Sequence, residues 1–328
     1  MKQILYIVLI ACLTGLPNLC AQSAKQPTIT AEREQQFTYY FYDAQRQLRD
    51  RKYDRAMMEL LFAEHINPYD GQTKDMLGML YHALNQHETA KRYFADAYRL
   101  SPKELWQHYA KTLFESEDIR DKYQAVVILE QAGKDHPKDE EPWDQLIEAY
   151  LQTEQYRKAL QAQDHLDGIK GYDAYSAITR YRTYALWGKN SKALKEIDRY
   201  LELEPRDVRF LRLRLESYER LRVKWSKLEK AYQEYLKIDP YHATTLNNYA
   251  YGLAIHKGDL KKAEQMSLQT VREQPDNPVF LDTYAWILHL KGEDNLALFY
   301  IKKALENSSA DMDKKEMLEH MEKIQKGR

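Results

Sequence analysis

Prolines recur along this chain at an almost fixed interval. Pro68, Pro102, Pro137, Pro205, Pro240 and Pro275 are separated by 34, 35, 68, 35 and 35 residues, and Gly171 stands at the midpoint of the double interval. The sequence between these breakers favours helix. A breaker about every 34 residues in helix-forming sequence marks a stacked helical repeat, in which a unit buries its apolar stripe only against its neighbours. Such an array offers an extended surface rather than a pocket for chemistry.

One unit can be read residue by residue. In residues 71–104, Met76, Leu77, Leu80, Tyr81 and Leu84 form a first apolar stripe, and Ala90, Tyr93, Phe94, Ala97 and Leu100 a second. Both follow the three-and-four spacing of an amphipathic helix. Asn85 and Gln86 fall between them, where the chain must turn. Gly78 and Ala90 are small where two helices would cross, and Pro102 blocks continuation of the second helix.

These features resemble the tetratricopeptide repeat family. The small residue early in the second helix recurs as Ala56, Ala90, Ala125, Ala159, Ala193, Ala263 and Ala297. The later small position recurs as Ala63, Ala97, Ala132 and Ala304, and the first-helix tyrosine as Tyr81, Tyr150, Tyr184 and Tyr218. Eight units are expected: 37–70, 71–104, 105–139, 140–173, 174–207, 208–242, 243–277 and 278–311. The sixth departs most, with Leu228 where alanine is expected and Tyr235 at the later small site. The resemblance implies an all-α solenoid of about eight helix-turn-helix units. Residues 312–328 would form a capping helix, with Met317, Leu318, Met321 and Ile324 as its apolar face. A membrane-surface helix is the rival reading there, disfavoured by a short face without Trp or Phe.

The N-terminus reads as a secretory signal peptide, residues 1–22: Lys2, an apolar run from Ile4 extending towards Pro17, then Leu19-Cys20-Ala21-Gln22-Ser23. Residues 23–36 follow as a polar entry segment, helical by about Glu32. Both cysteines lie in the leader, so the exported chain would have no disulfide and no thiolate site. The leader resembles those of the Bacteroidota, and the expected location is the periplasm. Leu9-Ile10-Ala11-Cys12 also resembles a bacterial lipobox; lipidation at Cys12 would make the protein outer-membrane-associated.

Charge gives no support to nucleic-acid binding: 49 basic and 50 acidic residues nearly cancel, and there is no basic excess. The chain lacks G-x-S-x-G, P-loop, H-E-x-x-H and G-x-G-x-x-G motifs. His82 and His87 are five apart, and helical spacing places them on different faces. The expectation is a non-enzyme with no cofactor and no metal.

The resemblance also implies a concave face built from the second, fifth, ninth and twelfth places of each first helix. It supplies Gln72, Asp75, Met79 and His82, then Trp106, Tyr109 and Leu113, then Glu141, Asp144 and Glu148. Later come Arg182, Arg209, Arg212, Glu216, Asn247, Tyr251, Asp282, Trp286 and His289. A groove that is acidic in the middle, then arginine-bearing, then aromatic would hold an extended peptide or a partner helix. The partner-binding candidates are Trp106, Tyr109, Arg182, Arg209, Arg212, Asn247, Tyr251 and Trp286. For each arginine the alternative is a solvated face paired with glutamates; for the tryptophans it is packing between helices. Some family members clamp a C-terminal carboxylate, but Glu216, Val279 and Thr283 occupy places where such a clamp needs other residues. The expected function is a protein-binding scaffold or adaptor of the cell envelope, or else a lipid-anchored structural subunit of an outer-membrane complex.

Overall fold

Five of the six prolines stop one helix and stand two residues before the residue that starts the next. Asp70, Asp139, Asp207, His242 and Asn277 are the helix-starting residues after Pro68, Pro137, Pro205, Pro240 and Pro275. Four of these five cap the free N–H groups of the new helix with their side chains; Asp70 accepts from Thr73 N–H at 2.7 Å and Asn277 from Val279 N–H at 3.0 Å. The computed structural model describes residues 29–327, and among them are seventeen α-helices and no strand. The leader, Cys12 and residues 23–28 lie outside the described residues.

The helices follow one another as hairpins: α1 (Ala31–Arg49) and α2 (Tyr53–Ile66); α3 (Gly71–Ala83) and α4 (His87–Leu100); α5 (Gln107–Glu115) and α6 (Ile119–Asp135); α7 (Glu140–Gln152) and α8 (Tyr156–Lys170). Then come α9 (Ala174–Leu186) and α10 (Asn190–Leu203); α11 (Val208–Arg220) and α12 (Trp225–Leu236); α13 (Ala243–Ile255) and α14 (Leu260–Glu273); α15 (Pro278–Leu290) and α16 (Asp294–Asn307). A last helix, α17 (Lys315–Lys326), follows. No described helix is long and apolar enough to cross a membrane. The chain divides into two compact units between Ile169 and Lys170.

Seven of the eight hairpins turn in the same way. One residue takes a left-handed conformation: Arg51, Asn85, Glu154, Gly188, Arg222, Lys257 or Gly292, with φ between 49° and 83°. The following N–H then bonds a carbonyl five residues back, as Gln86 does to Tyr81 at 2.9 Å and Gln155 to Tyr150 at 2.8 Å. These bonds satisfy carbonyls that the ending helix leaves open. The exception is the turn between α5 and α6, where Ser116 is extended at φ −64°.

In the first unit the small residues sit where helices cross. Ala56, Ala90, Ala125 and Ala159 are fully buried. A Cβ on Gly78 would stand 2.5 Å from the Phe94 ring, so only glycine lets α3 and α4 approach this closely. Helices of successive pairs are tied by polar contacts above the apolar core. The Tyr150 hydroxyl donates to Glu130 at 2.7 Å, and Lys158 Nζ reaches the same carboxylate at 2.9 Å. Lys74 and Tyr93 share Glu64 in the same manner.

The second unit solves its irregular crossing with bulk. Leu228 is only partly buried, and the space is filled by Tyr235, 2% exposed, and by Trp225. The Trp225 ring lies where a Cβ on Gly252 would be, 2.4 Å away, so the large ring is matched by a missing side chain on α13. Beyond that core, Phe280, Leu281, Ala285, Leu288, Ala297, Ile301 and Ala304 pack with Met317 and Ile324 of α17. The expected apolar face of α17 is therefore corrected. Leu318 is 49% exposed, and His320, 4% exposed, is buried beside Met317 and Ile324.

Candidate functional site

The first-helix places expected to face a partner split into three groups. In the first unit, Gln72, Met79 and His82 of α3 are exposed, whereas Asp75 is buried and bonded to His108 Nδ1 at 2.9 Å. His82 and His87 were placed on different faces, yet their rings meet edge to face at 5.2 Å, because the tight turn brings the end of α3 onto the start of α4. Glu141, Asp144 and Glu148 of α7 are exposed or half-buried.

Trp106 and Tyr109 are not surface anchors. They are 2% and 8% exposed and belong to the core, and Leu113 is fully buried with them. The cause is a slip of register. The α3, α7, α9, α11, α13 and α15 helices start at the first residue of their expected units, but α5 starts at Gln107, the third residue of its own. A two-residue shift turns a helix by about 200°, so the residues counted as surface point inwards. Tyr109 keeps a polar role by accepting from Gln124 at 2.8 Å.

In the second unit, α9 and α11 carry three exposed arginines at these places. Arg182 is exposed, and so are Arg209 and Arg212. Arg209 folds back onto Asp207, with Nη2 2.6 Å and Nε 3.1 Å from the carboxylate oxygens. This guanidinium, more than any other neighbour, holds the Asp207 carboxyl below its ordinary range. Arg212 is less committed: its Nε is 3.7 Å from Glu216, and both side chains are more than half exposed. Ile178, one turn before Arg182, adds an exposed apolar group.

The corresponding places of α13 and α15 are covered. Asn247 is 2% exposed and its Oδ1 has no hydrogen-bond partner, which corrects its expected place at the surface. Tyr251 donates to Glu316 at 2.5 Å, and Trp286 stacks on His320 with ring centroids 4.3 Å apart and planes 15° apart. Asp282 Oδ1 lies 2.9 Å from His320 Nδ1. His289 is engaged by Asp294 at 2.6 Å. At Tyr251, Asp282 and Trp286 the covering element is α17, so the aromatic end of this face already holds a helix.

Sequence reasoning therefore missed Glu316, His320 and Lys323. Their spacing of four and three, which puts them on one helical face, was a usable signal. It was obscured because an apolar stripe was sought and a histidine was counted as polar.

Comparison with known proteins agrees with this architecture. Residues 72–104 match the model of the tetratricopeptide repeat. The C-terminal part of a TPR repeat-containing protein from Cytophaga hutchinsonii superposes with a TM-score of 0.55 at 15% identity, covering 74% of this chain and 98% of that one. The fold is that of a tetratricopeptide repeat solenoid. A tetratricopeptide repeat protein from Parabacteroides merdae matches at 13% identity and TM-score 0.46, covering 89% of this chain and 99% of that one. YrrB, described as a TPR protein with an unusual peptide-binding site, matches at 18% identity and TM-score 0.45 over 53% of this chain and 89% of its own. No curated protein matches the sequence significantly. The repeat at 72–104 spans α3 and α4, the hairpin in which Gly78 admits the Phe94 ring.

Proposed function

We propose that this chain is a non-catalytic scaffold that binds a helix or extended peptide of a partner protein along the first helices of its repeats. One observation carries the reading. The face of α13 and α15 is occupied by the chain's own α17, through Tyr251, Asp282 and Trp286, while the matching places of α9 and α11 stand open. The first-helix face thus accepts a helix in cis at one place, and the same places of α9 and α11, with different side chains, lie exposed for one in trans. The exposed arginines favour a partner segment carrying carboxylates, since a guanidinium offers paired donors to a carboxylate. Fold alone supports binding and names no substrate.

Export to the periplasm is part of the proposal and rests on the leader: Lys2, the apolar run from Ile4, and the small polar exit at Ala21 to Ser23. The second reading, a lipid-anchored subunit, rests on Leu9-Ile10-Ala11-Cys12. Intact mass of the mature N-terminus separates the two: a free amine at Gln22 or Ser23 fits a soluble exported protein, and a diacylglyceryl Cys12 fits the anchor.

The binding face is tested by photo-crosslinking in cells. A photoreactive residue at Ile178 or Arg212 should capture the same discrete partner, and one at Lys230, on the second helix of its hairpin, should not. Arg209→Glu with Arg212→Glu should reduce that capture severalfold without changing the helical circular dichroism. Equal capture at all three sites, or capture indifferent to the charge reversals, contradicts the proposed face.

A further inference from the structure

The surface under α17 is polar, specific and incompletely satisfied. Glu316, His320 and Lys323 lie on one face of α17. Glu316 accepts from Tyr251, His320 meets Asp282 and the Trp286 ring, and Lys323 Nζ stands 5.2 Å from the centre of the same indole. Burial first, and then Glu316, raise the Tyr251 pKa, so its hydroxyl remains a donor over the physiological range. Beneath this row Met317 and Ile324 are buried in the core of α15 and α16, and Met321 packs partly buried against it. α17 has twelve residues, and a helix this short is marginal by itself in water. Its position depends on the few groups named.

Two buried polar atoms on α13 and α15 have no partner. Trp286 Nε1 is buried and donates to nothing, and Asn247 Oδ1, one turn before Tyr251 on α13, accepts from nothing. A buried polar group left unpaired is unfavourable and rare in settled cores. The present occupant thus meets the ring face of Trp286 but not its N–H.

We infer that α17 is an exchangeable occupant of this surface, and that the partner fitting it is an amphipathic helix. Such a helix presents a carboxylate to Tyr251, an imidazole or other flat ring to Trp286 one turn later, and a cation over the indole three residues further on. It gains over α17 by offering an acceptor to Trp286 Nε1. The inference rests on the reading of the first-helix face as a binding surface. It adds that one end of that face is closed until a competing helix arrives.

Two measurements on the full-length protein decide it. In hydrogen exchange of the wild type, amides of 315–326 should exchange at least about a hundredfold faster than those of α15. Equal protection makes α17 a fixed part of the core and overturns the inference, whatever the fate of the crosslinking experiment. In the second measurement, a fluorescent peptide of residues 312–327 is titrated onto wild type and onto Met317→Glu with Ile324→Glu. The released variant should bind at least tenfold tighter than wild type, and adding Trp286→Ala should abolish the gain. Equal binding by both proteins, or no binding by the variant, contradicts the inference. So does loss of protection throughout α15 and α16 of the variant, which would make α17 a structural cap. A positive result here with no partner crosslinked at Ile178 or Arg212 would leave exchange standing and defeat the wider binding proposal.

Discussion

The same residue pair does different work in the two units. Asp75 and His108 in the first, and Asp282 and His320 in the second, each place a carboxylate oxygen 2.9 Å from Nδ1. Both aspartates hold the fifth place of a first helix, and both histidines stack on an aromatic ring, Phe94 at 5.2 Å and Trp286 at 4.3 Å. Exposure separates them. The two aspartate side chains are equally buried, each 11% exposed, but the His108 side chain is 43% exposed and that of His320 is 5% exposed. His108 stands in the first turn of α5, and water reaches its ring. His320 is the centre of a helix laid over Tyr251 and Trp286. Identical chemistry is thus a surface junction in one place and the main polar anchor of a covering helix in the other.

The largest test of this contrast is the removal of each carboxylate. Asp282→Ala leaves His320 buried without its partner, and the cost should be on the order of 1–3 kcal/mol. Asp75→Ala leaves His108 able to bond water, and should cost less than about 1 kcal/mol. Denaturant midpoints with unchanged slopes provide the comparison. Equal losses would mean that burial does not set the weight of these pairs. A second difference is expected in hydrogen exchange: Asp282→Ala should accelerate exchange selectively in α17, whereas Asp75→Ala should leave every helix but α5 unaffected.

The contrast also shows what the sequence could reveal. The proline interval, the recurrent alanines and the two stripes of residues 71–104 were enough for an all-α solenoid of helix pairs, because each follows from where a helix must stop or be crossed closely. The turn at Asn85 was legible, but the left-handed conformation that recurs at the same interval was not, since five of the seven such residues are Arg, Asn, Glu, Arg and Lys and not glycine. Counting from prolines failed at Trp106 and Tyr109 because the period fixes the length of a unit, not the residue at which its helix begins. After Pro102 the helix begins at Gln107, six residues beyond Ser101, its predecessor's end cap, with Trp106 as a start residue that makes no side-chain cap. The covering of Tyr251 and Trp286 was hidden for another reason. It depends on a contact between residues 65 apart, Tyr251 and Glu316, which no local pattern encodes.

The smallest effect expected is electrostatic and belongs to the open pair. The hydrogen bond to Asp75 is the chief reason that the His108 pKa lies above its ordinary 6.5; burial and Lys111 oppose it, and Glu141 adds slightly to it. A histidine with a raised folded-state pKa binds its proton more tightly when folded than when unfolded. The stabilisation is therefore fully present below about pH 6.5 and fades as the pH rises through the raised value. Solvent reaches this ring, so the whole effect should stay under about 1 kcal/mol and weaken with salt. Asp75→Asn keeps an acceptor of the same shape and removes only the charge. The stability gap between wild type and Asp75→Asn should be widest below about pH 6.5 and narrow as the pH rises past it, and His108→Gln should remove the pH dependence of that gap. A gap that is constant across this range would show the pair to act as a neutral hydrogen bond, and would make its kinship with the buried pair closer than their exposures suggest.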